Sequence, residues 1–252
     1  THTDGPEGIN KNGHGEVFDV DSQMRLSATF EAHLSGDPRL SVLFAPGSSN
    51  TVIVGMPNGS TSDTYVGTDG VTVPGVTDRH VYAQTHPALR GKDVPMVFQT
   101  YAEVEFLKAE AAIRGWISSS AEEHYNKGVT AAMKMLKQLY PASTAITDAE
   151  ISAYLAGPGA YDASKGWEMA MNEYWKATFL NEYEAYANWR RTGYPTLTPT
   201  KHPNSVSNNQ IFRRMIYPGG ESATNGDNYA AAVARQGADD FTTRTVSYTH
   251  LT

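Results

Sequence analysis

The spacing of apolar positions changes character once along the chain, at Thr100. Beyond that point it is helical. Ala102, Phe106, Ala109, Ile113 and Trp116 recur on one face of a 3.6-residue period. Thr100-Tyr-Ala-Glu103 has capping-box form, in which hydroxyl and carboxylate each satisfy a free backbone N–H at a helix start. Gly115 marks the end of this helix. Ser120-Ala-Glu-Glu123 repeats the signature, and Tyr125, Val129, Ala132, Leu136 and Leu139 share one face until Pro141. Two helices joined by so short a turn form an antiparallel hairpin. Gly115, Ala121, Tyr125 and Gly128 follow the tetratricopeptide spacing loosely, with one extra residue in the turn. One such repeat cannot bury its own faces, so partner helices are implied.

Further helices follow. Thr147-Asp-Ala-Glu150 opens a short one that stops near Gly157-Pro158. From Lys165 to about Arg191 there is no breaker, and Trp167, Met171, Tyr174, Trp175, Phe179, Tyr183, Tyr186 and Trp189 lie on most sides. This predicts a single helix of roughly 40 Å, buried on several sides and ended by Gly193-Tyr-Pro195. Asp227 is the expected cap of a small helix running through Ala232 to Gln236, with Gly237 as its stop.

Upstream of Thr100 the pattern is irregular. Residues 1–21 are Gly- and Asn-rich without periodicity and read as loop. Leu26, Phe30 and Leu34 make one helical face, closed by Gly36 and Pro38. Leu40 to Gln99 is mostly turn punctuation: Pro-Gly at 46–47, Pro-Asn-Gly at 57–59 and Pro-Gly at 74–75, with Thr51-Val-Ile-Val54 as a short strand. Long ordered loops tend to carry function.

Composition narrows the chemistry. The 252 residues include 14 Tyr and 4 Trp, with 19% charged residues, no Cys and a net charge of −7. So many aromatics argue against disorder, and the acidic balance argues against a nucleic-acid partner. Without Cys there are no disulfides, zinc thiolates or thiol nucleophiles. The eight His are scattered, with no His-Glu-x-x-His, and Asp19 with Asp21 lacks the other oxygens of a calcium loop. Gly220-Glu-Ser-Ala-Thr224 misses the second Gly of a nucleophile elbow. Glu182 and Glu184, two apart on a helix, point in different directions, unlike paired glycosidase carboxylates. No catalytic residue, metal site or cofactor is expected. Binding fits better: sugar rings stack their C–H faces on flat aromatics while amide, carboxylate and guanidinium groups hold the hydroxyls.

Tyr101-Ala-Glu-Val-Glu-Phe-Leu-Lys-Ala-Glu-Ala-Ala-Ile-Arg-Gly-Trp116 resembles the SusD/RagB outer-membrane proteins of Bacteroidetes. Tyr125-Asn-Lys-Gly-Val129, Asn188-Trp-Arg-Arg-Thr-Gly-Tyr-Pro195 and Arg213-Arg-Met-Ile-Tyr-Pro218, the last with Glu221, Asn225, Asn228 and Tyr229, follow in that family's order. Upstream, Asp37-Pro-Arg-Leu40 and Gly55-Met-Pro-Asn-Gly59 also fit. The resemblance covers residues 24–245 and matches the C-terminal portion of a longer family member. It implies a mainly α, SusD-like fold: a tetratricopeptide-like helical hairpin with long irregular loops and little β. It also implies a non-enzymatic lipoprotein on the outer-membrane surface, its lipid anchor outside this fragment, that hands glycan, or in some members peptide, to a SusC-like TonB-dependent transporter. Under that reading Arg190 and Arg191 satisfy helix-end carbonyls or buried carboxylates, and Glu221 and Asn225 fix a turn.

The candidate glycan contacts are Tyr65 and Tyr82 with Asn58, Asp63 and Arg79, in the loops where aromatics are least needed for packing. A helical glycoside hydrolase and a non-binding scaffold of the transporter are the alternatives. Residues 1–245 are expected to be one SusD-like domain lacking its N-terminal part. Val246-Ser-Tyr-Thr-His-Leu-Thr252 reads as a non-native tail resembling a translated sequencing adapter, where the family has a Trp-Trp-Asp-like motif.

Overall fold

The computed structural model describes residues 10–20, 24–58, 64–66, 72–74, 79–201 and 205–244. The expected tail and the first nine positions of the expected loop lie outside these residues. The described chain is mainly α, with helices α1 (Gly13–Val20), α2 (Ala28–His33), α3 (Arg39–Leu43), α4 (Tyr101–Ile113), α5 (Ala121–Leu139), α6 (Asp148–Leu155), α7 (Gly166–Ala177), α8 (Glu182–Thr192), α9 (Glu221–Thr224) and α10 (Gly226–Gln236). β structure is slight. β1 (Phe44–Ala45) pairs antiparallel with β4 (Gln84–Thr85), and β2 (Thr64–Val66) with β3 (Thr72–Pro74).

The hairpin of α4 and α5 is the centre of the molecule, and α7 packs across both helices. Its start signals act as the sequence implies. Thr100 and Glu103 form a reciprocal capping box. Ser120 accepts from the Glu123 N–H, but the Glu123 carboxylate pairs with Lys127 instead of returning to the cap, so the second box is half formed. Phe106, Ala109, Val129 and Met133 are completely buried. At Gly128 the helices touch: a Cβ there would lie 2.6 Å from the Phe106 ring. The face does not run on as far as its period suggests, since Ile113 and Trp116 are exposed at the helix end.

Four expectations are corrected. The Gly-rich start holds α1, because Asn12 Oδ1 accepts the N–H groups of His14 and Gly15 and so caps it. Leu26 precedes its helix: Ser27 is the N-cap, and the Leu26 N–H and C=O bond Ala83 O and Met56 N instead. Thr51–Val54 is not a strand; Val54 only lends its carbonyl to the Ala83 N–H. Asp227 lies within the first turn of α10, and Asn225 occupies the cap position.

The largest correction concerns the long aromatic helix, which is two helices broken at Thr178–Asn181. No Gly or Pro marks the break. Thr178 turns its hydroxyl back onto the carbonyls of Tyr174 and Trp175, and Leu180 takes a left-handed φ of 65°. The bend lets Phe179 pack on Phe30 and Phe44, which a straight helix would carry past.

A buried ionic cluster ties the irregular half to the helices. Arg39, 1% exposed, bonds Asp37 through Nε and Nη2 and reaches Glu173 Oε2 at 2.6 Å. Tyr154 and Lys176 each donate to Glu173 Oε1 at 2.7 Å. Two acids and two bases balance there, as burial demands, although Arg39 Nη1 makes no hydrogen bond among the described residues. Burial raises the Glu173 carboxyl, but the Arg39 and Lys176 charges and their hydrogen bonds outweigh it and hold the group at about 2.

Candidate functional site

The bend between α7 and α8 opens a cleft of about 290 Å³ against α2, the Leu26 segment and the β1–β4 pair. Its wall is aromatic. Phe30 stacks on Phe179 (centroids 5.6 Å apart, planes 14° apart) and meets Trp175 edge-on at 4.8 Å. Phe44 closes the set, edge-on to Phe179 at 5.2 Å. Trp175 and Phe179 remain half-buried, while Phe30 and Phe44 are buried behind them. Behind Trp175 lies His33, at 5.2 Å. Burial and the nearby Lys176 charge lower the His33 pKa, against the weaker pull of Glu168 and Glu173, so a neutral ring backs the indole.

The polar groups sit at the rim. Arg25 donates through Nε to Arg79 O at 3.0 Å and through Nη1 to Met24 O at 2.9 Å. Glu182 lies opposite, with both carboxylate oxygens 3.1 Å from His14 Nε2. Thr85 and Ser27 supply hydroxyls between them. An aromatic wall with a few convergent polar groups has the make-up of a small-ligand pocket, and this volume is at the small end of the range, about 300–1,000 Å³.

The residues expected from sequence fall differently. Asn58 and Arg79 are exposed, and the Arg79 carbonyl anchors Arg25 at the rim of the cleft. Tyr65 lies on β2 opposite Val73, and Asp63 lies outside the described residues. Tyr82 is 7% exposed, so its ring offers no face to a sugar; burial raises its hydroxyl pKa. The aromatics that do face a cleft, Trp175 and Phe179, belong to the helix expected to be core. No signal in the sequence marks them, because their exposure depends on the bend.

Other features bear on chemistry. A second groove, about 600 Å³, runs along the outer side of α5 past Tyr101, Asn126 and Gln138, with Lys127 and Lys134 paired to Glu123 and Asp148. Ser222 sits in the single turn of α9, not at a strand-to-helix elbow. Glu182 and Glu184 take separate partners, His14 and the Tyr174 hydroxyl. Arg191 donates to the buried Glu110 at 2.6 Å, as a buried-carboxylate role requires. Asn225 donates to Glu221, which ties the α9 turn. Among the described residues no three metal-ligating side chains gather, and no helix is long and apolar enough to cross a membrane.

Fold and cleft together define a helical-hairpin protein with an aromatic-walled cleft at the α7–α8 bend. The model of the SusD-like family described as "Starch-binding associating with outer membrane" matches residues 10–218, and the chain belongs to that family. Among solved structures, a chitin-binding protein is 30% identical, with a TM-score of 0.80 over 96% of this chain and 54% of its own. The Bacteroidetes AC2a SusD-like protein is 25% identical, with a TM-score of 0.81 over 98% of this chain and 59% of its own. A chitin-binding SusD homolog from Flavobacterium johnsoniae is 22% identical, with a TM-score of 0.65 over 96% of this chain and 52% of its own, and shares the fold. The chain thus spans 52–59% of these structures. No curated protein matches it.

Proposed function

We propose that the chain is the C-terminal portion of a non-catalytic glycan-capture protein of the bacterial outer-membrane surface. It holds oligo- or polysaccharide and delivers it to a SusC-like TonB-dependent transporter, with a lipid anchor outside this sequence holding the protein to the membrane. The observation that carries the reading is the aromatic cleft at the α7–α8 bend: Trp175 and Phe179 offer flat apolar faces beside Arg25, Thr85 and Glu182. Membership of a family described as starch-binding and the likeness to a chitin-binding protein support it. Sugar rings present C–H faces to such a wall and hydroxyls to such a rim, and retention by many weak contacts needs no cofactor. Asn58, Asp63, Tyr65, Arg79 and Tyr82 are proposed as further glycan contacts.

The test is titration of the 252-residue chain with starch- and chitin-derived oligosaccharides and a peptide panel, followed by product analysis. Retention of glycan without cleavage, weakened about tenfold in Trp175→Ala, is the expected result. Cleavage would make it a hydrolase, peptide retention a peptide carrier, and no binding at all a scaffold.

A further inference from the structure

The cleft at the α7–α8 bend has two levels, which suit different parts of a sugar. Trp175 and Phe179 are half-buried and form the open wall. Beneath them the floor is nearly closed: Leu26 is 1% exposed, Phe44 3% and Phe30 8%. A pyranose ring needs a broad flat face, which the wall offers and the floor does not. The little floor surface that is open suits a small substituent. Because its lining is apolar, a hydroxyl driven into it would lose water without gaining a partner there. A sugar that carries only hydroxyls can therefore use the wall and gains little from the floor.

One polar side chain stands among these rings. Thr85 lies on β4 directly opposite Phe44 on β1, and residues paired across a ladder share a face, with Cβ atoms about 4.5–5.5 Å apart. The Phe44 ring meets Phe30 and Phe179 on that face, so the Thr85 side chain joins the same wall of the cleft. Thr85 is 8% exposed, and its hydroxyl makes no hydrogen bond among the described residues. The other hydroxyls lining the cleft are engaged: Ser27 Oγ takes the Phe30 N–H, and Thr178 donates to the Tyr174 and Trp175 carbonyls. A buried hydroxyl without a partner is uncommon and points to a group that supplies one. The floor thus fits a substituent in which a methyl and a hydrogen-bonding atom adjoin. An acetyl group has that form, with its carbonyl beside its methyl; the bare methyl of a deoxy sugar does not.

We propose that the cleft selects glycans bearing an acetamido group. The sugar ring lies on Trp175 and Phe179, the acetyl methyl meets Leu26, Phe30 and Phe44, and the Thr85 hydroxyl donates to the amide carbonyl. The amide N–H, nearer the ring, has the Glu182 carboxylate at the rim as its acceptor, and His14 holds that carboxylate in place. Thr85 is the specificity-determining residue, since it alone distinguishes an acetyl group from an apolar substituent of the same size. The selection rests on the capture function proposed above and names the class of glycan.

The test compares two tetrasaccharides of the same β-linked backbone, fully N-acetylated chitotetraose and cellotetraose, which differ only in carrying acetamido or hydroxyl at C2. Each is titrated calorimetrically into the 252-residue chain. Chitotetraose is expected to bind about tenfold tighter, the discrimination that one buried methyl supports. Thr85→Val keeps the shape of the side chain and removes the donor, so the preference should fall about fivefold. Thr85→Ser keeps the donor and should keep the preference, which a purely structural role of β4 would not predict; melting curves verify that both variants fold. Trp175→Ala should weaken both tetramers alike. Equal affinities, tighter binding of cellotetraose, or a preference that survives Thr85→Val overturns the acetamido selection and leaves glycan capture at the cleft standing, as does binding of malto-oligosaccharides alone. Failure to bind any of these glycans overturns the selection and the capture function together.

Discussion

At the scale of single residues, position outweighs propensity. Glycine in a helix interior is normally replaced by alanine with a gain of about 1 kcal/mol. At position 128 the sign reverses. The new Cβ would stand 2.6 Å from the ring of Phe106, which is fully buried and cannot move aside. Gly128→Ala is therefore expected to destabilise the fold by about 1–3 kcal/mol, read as a lower midpoint in urea unfolding. A midpoint that rises would mean the two helices part more easily than their packing implies. Arg39 makes the complementary case. In the sequence Asp37-Pro-Arg39 stands only as a motif beyond the helix-ending Gly36, yet Arg39 is 1% exposed and salt-bridged to Glu173. Arg39→Met, which removes the charge and leaves two carboxylates buried with one cation, should cost about 3–5 kcal/mol by the same measurement.

At the scale of elements, local signals decide where helices start and tertiary packing decides where they stop. The boxes at Thr100 and Thr147 form as written, since each needs only residues three positions apart in the chain. Thr147 and Glu150 are exposed, so their mutual bonds stabilise α6 and little else. Thr147→Ala should cost about 1 kcal/mol, a fall of about 2–4 °C in Tm for a chain of this size. An unchanged Tm would place the stability of α6 wholly in the buried Ile151 and Tyr154. The α7–α8 bend is the opposite case. A leucine at φ 65° costs about 1–3 kcal/mol, and it persists because Phe179 packs against Phe30 and Phe44. The partners lie some 150 residues upstream, so no window on the helix itself contains the reason.

The whole molecule depends on buried carboxylates for its response to acid. Glu173 and Glu105 are both held at about 2 in the fold against an ordinary value of 4.5. A carboxyl whose pKa is depressed by folding contributes fully above its unfolded value, and the contribution is lost as pH falls through the folded one. Stability should hold between about pH 5 and 7 and then drop between 4.5 and about 2. Melting curves across that range test this. Glu173→Gln, less stable at neutral pH, should show a shallower fall; an equal slope would mean that the cluster does not govern acid unfolding. Because Arg39 and Asp37 belong to the irregular half and Glu173 and Lys176 to α7, acid should release the two halves together and disturb the cleft between them.

The sequence alone determined the mainly α class, the α4–α5 hairpin, the caps at Thr100 and Thr147 and the family, because these rest on periodicity, neighbouring side chains and ordered motifs. Tertiary structure decided the cleft. Trp175 and Phe179 carry the spacing of core residues, and only the bend at Thr178–Asn181, held by Phe30 and Phe44, turns them toward an opening. Tyr82 shows the reverse: a loop tyrosine that reads as free is buried at 7% exposure. Glu105 and His124 lie on different helices and meet because the hairpin closes, so their hydrogen bond exists only in three dimensions. Local interactions fix elements; which faces those elements expose is set by contacts between residues distant in sequence.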